Sequence, residues 1–241
     1  MQVHRVKTRL VNSYVVEYTD KLLVVDVAVD CERQVLGFIE QELKRPVSDV
    51  NLVCCTHDDP DHIGGVNELA RLTGADVGIP HAAQVRWKKW LNDPAGPVVR
   101  FGTGIREAMR ARSWQMYTNS ERDRAALRQA RYGGDYVDQE IGTHRLRHQQ
   151  KLPGFGDWRL LHTPGHTWDS CCFYHPGQGI LLSGDTLLGS QKLDRLVVPS
   201  IYSNPRQMKA TLRQLQKLQI QAVYPGHGSP QFGEQLIENA R

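Results

Sequence analysis

The chain has 241 residues, 30 Lys and Arg against 26 Asp and Glu, a net charge of +4 and 40% hydrophobic residues. That balance excludes a disordered, collagen-like or disulfide-stapled chain and suits a mixed α/β protein with a sizeable core. The charge is too mild to suggest nucleic acid as a partner, and no apolar run is long enough to span a membrane, so neither is expected.

Residues 1–18 alternate polar with apolar side chains and lack the apolar region of a secretory signal, which predicts strand and a cytoplasmic location. Segments 10–18 and 21–28 flank Thr19-Asp20 and predict a hairpin. Val35, Leu36, Ile39 and Leu43 are spaced as one face of a helix over 32–43. A buried strand is predicted over 50–56, a helix over 63–72, a strand over 75–79 and a helix over 81–91. Residues 92–151 differ in being rich in Arg and Gly. They predict a basic insertion with helices near 105–117 and 120–131 in a single domain of 1–241. Its arginines, from Arg100 and Arg106 to Arg145 and Arg147, read first as a solvated face and second as a rim that attracts an anionic substrate. Trp87, Trp90, Trp114, Tyr117 and Tyr202 are the aromatic candidates for a pocket wall, though core packing is the commoner use. Strands follow at 158–162, 171–175 and 179–183, then an amphipathic helix at 205–218 with Pro205 in its first turn. A strand at 222–224 and a helix at 232–240 complete the prediction. The five cysteines, Cys31, Cys54, Cys55, Cys171 and Cys172, form no CxxC and read as buried reduced thiols.

The chemistry concentrates in Thr56-His57-Asp58-Asp59-Pro60-Asp61-His62-Ile63-Gly64-Gly65, directly after a predicted buried strand. Pro60 biases Asp59 towards extended backbone, so His57, Asp59 and Asp61 point the same way in an extended stretch. A purely structural reading also exists: Asp59 as a turn residue, Asp61 as a helix cap, and both histidines as hydrogen-bonded side chains. Three later segments shift the balance: Thr163-Pro164-Gly165-His166-Thr167, Leu182-Ser183-Gly184-Asp185-Thr186 and Tyr224-Pro225-Gly226-His227-Gly228. Each puts an imidazole or carboxylate at a strand end beside Gly or Pro, and such groups suit zinc, iron and manganese.

In order and spacing, these segments resemble the metallo-β-lactamase superfamily, which carries HxHxDH, a histidine after Pro-Gly, a Gly-Asp and a late Gly-His. The resemblance implies an αββα four-layer sandwich with two divalent metal ions at one edge of the sheets, zinc first and iron or manganese as alternatives. It implies one site of His57, Asp59 and His166, a second of Asp61, His62 and His227, and Asp185 as the bridge. Asp26 and His162 are expected to stand behind these ligands and orient them. Asp59 departs from the family pattern, which has histidine there. An anionic oxygen ligand favours iron or manganese, lowers the effective charge on the first ion, or leaves that site weak.

The function implied is a dinuclear metal-dependent hydrolase. A metal-bound hydroxide, positioned by Asp61 as the catalytic carboxylate, attacks a small ester, lactone or thioester. Asp185 favours the thioesterase-like branches over true lactamases. The alternatives are a phosphodiester or phosphate-ester hydrolase, a non-haem iron oxidoreductase, and a non-catalytic binding protein on the same scaffold. The expected partner is a small, anionic molecule.

Overall fold

The computed structural model describes residues 1–84, 91–110, 142–190 and 192–240. The first sheet takes β1 (Gln2–Lys7), β2 (Asn12–Glu17), β3 (Leu22–Val25), β4 (Val50–Cys54), β5 (Asp76–Pro80) and β6 (Thr143–Leu146), side by side in chain order. β1, β2 and β3 pair antiparallel through tight turns, as the predicted hairpin requires. From β3 to β6 every pairing is parallel. Parallel neighbours need crossovers, and helices supply them. α1 (Glu32–Gly37) continues into a π turn over Phe38–Glu42 between β3 and β4. α2 (Pro60–Ile63) and α3 (Val66–Thr73) lie between β4 and β5.

The second sheet contains β7 (Lys151–Leu152), β8 (Phe155–His162), β9 (Cys171–His175) and β10 (Ile180–Gly184). A separate ribbon of β11 (Leu188–Ser190) and β12 (Arg195–Val197) precedes β13 (Ala222–Pro225) and β14 (Gln231–Phe232), which complete the second sheet in the order β14-β13-β10-β9-β8-β7. Between β5 and β6, the described part of the basic insertion forms α4 (Gly96–Arg110). α5 (Pro205–Leu215) precedes β13. Its Asn204 cap accepts from the backbone of Arg206 and Gln207, and Pro205 sits in its first turn.

Side-chain alternation explains the layering. Leu22 and Val24 of β3 join α1 and α3 through Val35, Val66 and Leu69, while Leu23 and Val25 face the other way. There they meet Trp158, Leu160, Phe173 and Leu182 of the second sheet. Cys172, Tyr174 and Leu181 point to the far side and pack against Leu212 and Leu215 of α5. Helix, sheet, sheet and helix are thus held by three apolar interfaces, the αββα sandwich expected. Both faces of each central strand are buried, so these strands read as apolar runs rather than alternating ones.

Three predictions change. The helix expected over 232–240 is absent: Phe232 and Gln231 pair with Ala222 and Val223 instead. Gly233 and Gln235 then take positive φ of 128° and 54°, which a right-handed helix cannot accommodate. The apolar spacing that suggested a helix serves to place Leu236 and Ile237 on the outer core. The helix near 105–117 begins earlier, at Gly96, and of the helix at 81–91 a 3-10 turn covers His81–Gln84. The predicted helix at 120–131, Trp87, Trp90, Trp114 and Tyr117 lie outside the described residues. All five cysteines are buried and free, as expected.

Candidate metal centre

β4 delivers the chain to the motif. Asp59 takes φ −78° and ψ 144°, the extended backbone that a following proline imposes. Its carbonyl accepts from the amides of His62 and Ile63, so the backbone caps α2 while the side chain makes no capping bond. Gly64 and Gly65 bring this loop against Val27, Ala28 and Val29, where a Cβ would collide with backbone. β8 leads into His166, β10 into Asp185 and β13 into His227. Since β10 and β13 are parallel neighbours, Asp185 and His227 emerge at the same edge.

The seven side chains implied by the sequence converge there. Asp59 Oδ2 lies 3.2 Å from His57 Nε2 and 3.5 Å from His166 Nε2. Asp61 Oδ2 lies 3.3 Å from His227 Nε2 and 3.8 Å from His62 Nε2. Between the two groups, Asp185 sends Oδ1 to within 3.4 Å of His62 Nε2 and Oδ2 to within 3.7 and 3.5 Å of His166 and His227. Ligand atoms about 2.0–2.2 Å from a tetrahedral zinc stand roughly 3.3–3.6 Å apart, which matches most of these spacings. His57 Nε2, His62 Nε2, His227 Nε2 and Asp185 Oδ1 are buried without a well-formed hydrogen bond. Buried polar atoms left so are costly, and a shared cation is the simplest group that satisfies them together. The donor set therefore fits metal.

The outer edges of the rings are tied. His62 Nδ1 donates to Asp26 Oδ2 at 2.8 Å and His166 Nδ1 donates to the Ile201 carbonyl at 2.8 Å. His57 Nδ1 lies 3.1 Å from Thr56 Oγ1, which itself donates to Asp26. A proton held on Nδ1 leaves the Nε2 lone pair facing inward, the tautomer a metal ligand needs. Asp26 also accepts from the Thr56 amide at 2.7 Å and sits at φ 61°, a strained position for a residue with a side chain. Asp26 thus contacts both the end of β4 and the His62 ring. His162 stands further back: its Nε2 donates to the Trp168 carbonyl at 2.7 Å and its ring packs edge-on against the Trp168 ring, two residues beyond His166. It lines a different cavity of about 500 Å³ with His81, Arg147 and His148.

Electrostatics favour charged groups despite burial. Burial raises the Asp185 pKa, but His227, His62 and His166 reverse this and hold it well below the usual carboxylate range. Burial lowers the His62 pKa, yet Asp26, Asp185 and Asp61 together hold it well above the usual imidazole value.

Sequence reasoning missed several participants. Arg100 on α4 spans Asp59 with both guanidinium nitrogens, Nη1 donating to Oδ1 at 2.9 Å and Nη2 to Oδ2. The sequence shows it only as one arginine of a basic run. Thr56 precedes the motif directly, and Asp169 accepts from the Asp58 amide at 2.8 Å. A buried hydroxyl and a buried carboxylate at apolar strand ends were the available signals.

The family model for the metallo-beta-lactamase superfamily matches residues 6–227. The chain belongs to this superfamily. The probable metallo-hydrolase YqjP of Bacillus subtilis (strain 168) is 24% identical over 92% of the chain and 68% of its own length. The hydroxyacylglutathione hydrolase of Methylobacillus flagellatus is 28% identical over 73% of the chain and 47% of its own length. The superfamily chain thus spans about half to two thirds of these curated relatives. A metallo-beta-lactamase family protein from Thermus thermophilus shares the fold at a TM-score of 0.64 and 22% identity, over 98% of this chain and 76% of that one.

Proposed function

We propose that this chain is a dinuclear metal-dependent hydrolase of small esters, lactones or thioesters. His57, Asp59 and His166 would hold one divalent ion and Asp61, His62 and His227 the other, with Asp185 available to both. The observation that carries this reading is the set of buried, inward-facing ligand atoms without hydrogen-bond partners. Two zinc ions, when bound, would supply activation of a water molecule and polarisation of the bond to be cleaved. Asp61 would orient the attacking water by accepting a hydrogen bond from it. Asp26 and Thr56 keep His62 and His57 in the required tautomer.

A cavity of about 340 Å³ opens beside His166, Asp185 and His227. Leu10, Leu188, Pro199 and Ile201 offer it apolar contacts, and Arg9 adds a positive charge at its wall. This suits a small acyl group with an anionic end, in keeping with the thioester named by the hydroxyacylglutathione hydrolase relative. A phosphate ester would be favoured by cations of the basic insertion that are turned to the site. Two of the insertion's described arginines are committed to the protein, Arg100 to Asp59 and Arg106 to the Ser200 carbonyl at 2.9 Å.

Elemental analysis of the purified chain, followed by a panel of ester, lactone, thioester and phosphodiester substrates, tests the reading. Two zinc ions per chain with turnover of an acyl substrate supports it. Turnover of phosphodiesters alone, or iron with oxygen uptake and no hydrolysis, overturns it.

A further inference from the structure

The two metal-binding triads are alike in composition, each with two imidazoles and one carboxylate, and they share Asp185. They differ in what stands behind the carboxylate. Behind Asp59 stands Arg100, a permanent cation that donates to both carboxylate oxygens. Asp61 Oδ2 instead faces the His227 and His62 rings, which are neutral when they act as ligands.

The contact is direct. Asp59 Oδ2, the oxygen that faces His57 and His166, is also the oxygen bonded by Arg100 Nη2, which stands 3.5 Å from His166 Nε2. The Asp59 backbone is already fixed by Pro60 and the α2 cap. Arg100 is no loose surface group either. α4 is tied to the segment that carries Ile201, through Thr103 Oγ1 donating to the Tyr202 carbonyl at 3.2 Å and Arg106 donating to the Ser200 carbonyl.

We propose that Arg100 makes the two metal positions unequal: it cancels the charge of Asp59, so that the His57–Asp59–His166 position binds its ion more weakly and the Asp61–His62–His227 position fills first. The inference rests on the dinuclear reading above and adds the order of filling and the residue that sets it. The sign follows from charge. A fixed cation bonded to the ligand oxygen opposes a dication, and in a largely buried site that repulsion is poorly screened.

The test is a titration of the metal-stripped full chain with zinc alone, in competition with a chromophoric chelator. Wild type should take up zinc in two unequal steps. Arg100→Gln should leave the tighter step unchanged and strengthen the weaker one by roughly 10–100-fold, the range over which outer partners move metal affinity. Arg100→Lys keeps the charge and should preserve the inequality. Asp59→Asn should remove the weaker step and spare the tighter, which assigns the two. A weaker second step in Arg100→Gln would make Arg100 an orienting group and overturn the proposal, as would no change or two equal steps in wild type. Wild type that takes up no zinc overturns the proposed function as well, so the two failures are distinct. Thermal melts of the metal-free variants check folding. If Arg100→Gln does not fold, the Asp59→Asn result decides, since loss of the tighter step would reverse the order claimed.

Discussion

His62 donates its Nδ1 proton to Asp26 across 2.8 Å, and both side chains are sealed from water. Asp26 simultaneously takes the Thr56 amide and hydroxyl, so one carboxylate organises both the strand end and two rings of the centre. Removing it leaves several buried donors unanswered. Asp26→Ala should therefore cost about 3–5 kcal/mol, as for a broken buried pair. Asp26→Asn retains an acceptor and tolerates the left-handed backbone, and should cost less. Denaturant unfolding of the metal-free chain measures both. Equal losses would show that backbone strain, not hydrogen bonding, dominates at this position.

The same charges set the pH response of the metal-free chain. Burial lowers the pKa values of His62 and His227, but neighbouring carboxylates, Asp26 first for His62 and Asp185 first for His227, raise them above the ordinary 6.5. That stabilisation is complete below 6.5 and is lost as pH rises through the raised values. Burial raises Asp59 and Asp185, but Arg100 and His227 respectively lead the groups that hold them well below 3.8. Their contribution is present above 3.8 and lost as pH falls through the lowered values. The metal-free chain should thus be most stable between about pH 4 and 6.5 and melt at progressively lower temperature towards pH 9. Bound zinc requires neutral rings and releases their protons, so the loaded chain should not show that alkaline decline. A metal-free melting temperature that climbs from pH 6.5 to 9 would contradict the assignment of charge.

Asp185 lies close to three of the four rings: its Oδ1 faces His62, and its Oδ2 faces both His166 of one triad and His227 of the other. Asp185→Ala should lower zinc stoichiometry below that of wild type and reduce turnover by more than about 100-fold, beyond the effect of an outer partner. Metal analysis and rate are read on the same sample. Full zinc content with unchanged rates would remove Asp185 from the site.

The centre was legible because its residues are chemically conspicuous and short-range rules act on them. Pro60 sets the Asp59 backbone, Gly64 and Gly65 allow the close approach, and apolar runs mark the strands that end in ligands. The layers were legible for the same reason. Arg100 was not, because its partner lies 41 residues away, and one arginine in a basic run looks like any other. Residues 232–240 misled because apolar spacing is shared by helices and by turns that happen to drop two side chains onto a core, as Leu236 and Ile237 do.

Gly226 shows how little room the centre has. A Cβ there would meet Asp185 Oδ1 at 2.6 Å and His62 Cε1 at 2.7 Å. Gly226→Ala must therefore displace ligands rather than core. It should cost about 1–3 kcal/mol as an overpacked site and lower zinc affinity. Parallel melts and zinc titrations separate the two effects. Unchanged affinity would mean that the ligands can retreat without penalty.

The His227 loop is fastened from the opposite sheet. Asn12 Nδ2 donates to the Pro225 carbonyl at 2.9 Å and to the Gly228 carbonyl at 2.8 Å, its amide donates to the Gly226 carbonyl at 2.8 Å, and Tyr14 Oη donates to Pro225 at 2.6 Å. The side chain of Asn12 thus spans the ends of the turn that carries His227, holding together loops from two sheets that the chain itself does not connect nearby. Asn12→Ala removes one donor from each of two carbonyls that keep another, Tyr14 Oη on Pro225 and Arg5 Nη1 on Gly228, at a cost of about 0.5–1.5 kcal/mol per lost hydrogen bond. Because His227 serves the Asp61 triad, the loosened turn should weaken the tighter zinc step and leave the Asp59 step largely intact. Asn12→Asp keeps the shape but removes the donors and should be at least as damaging as Ala, since it sets a carboxylate against carbonyl oxygens. A zinc titration in which both variants match wild type would show that Tyr14, Arg5 and the Asn12 backbone suffice to hold the turn.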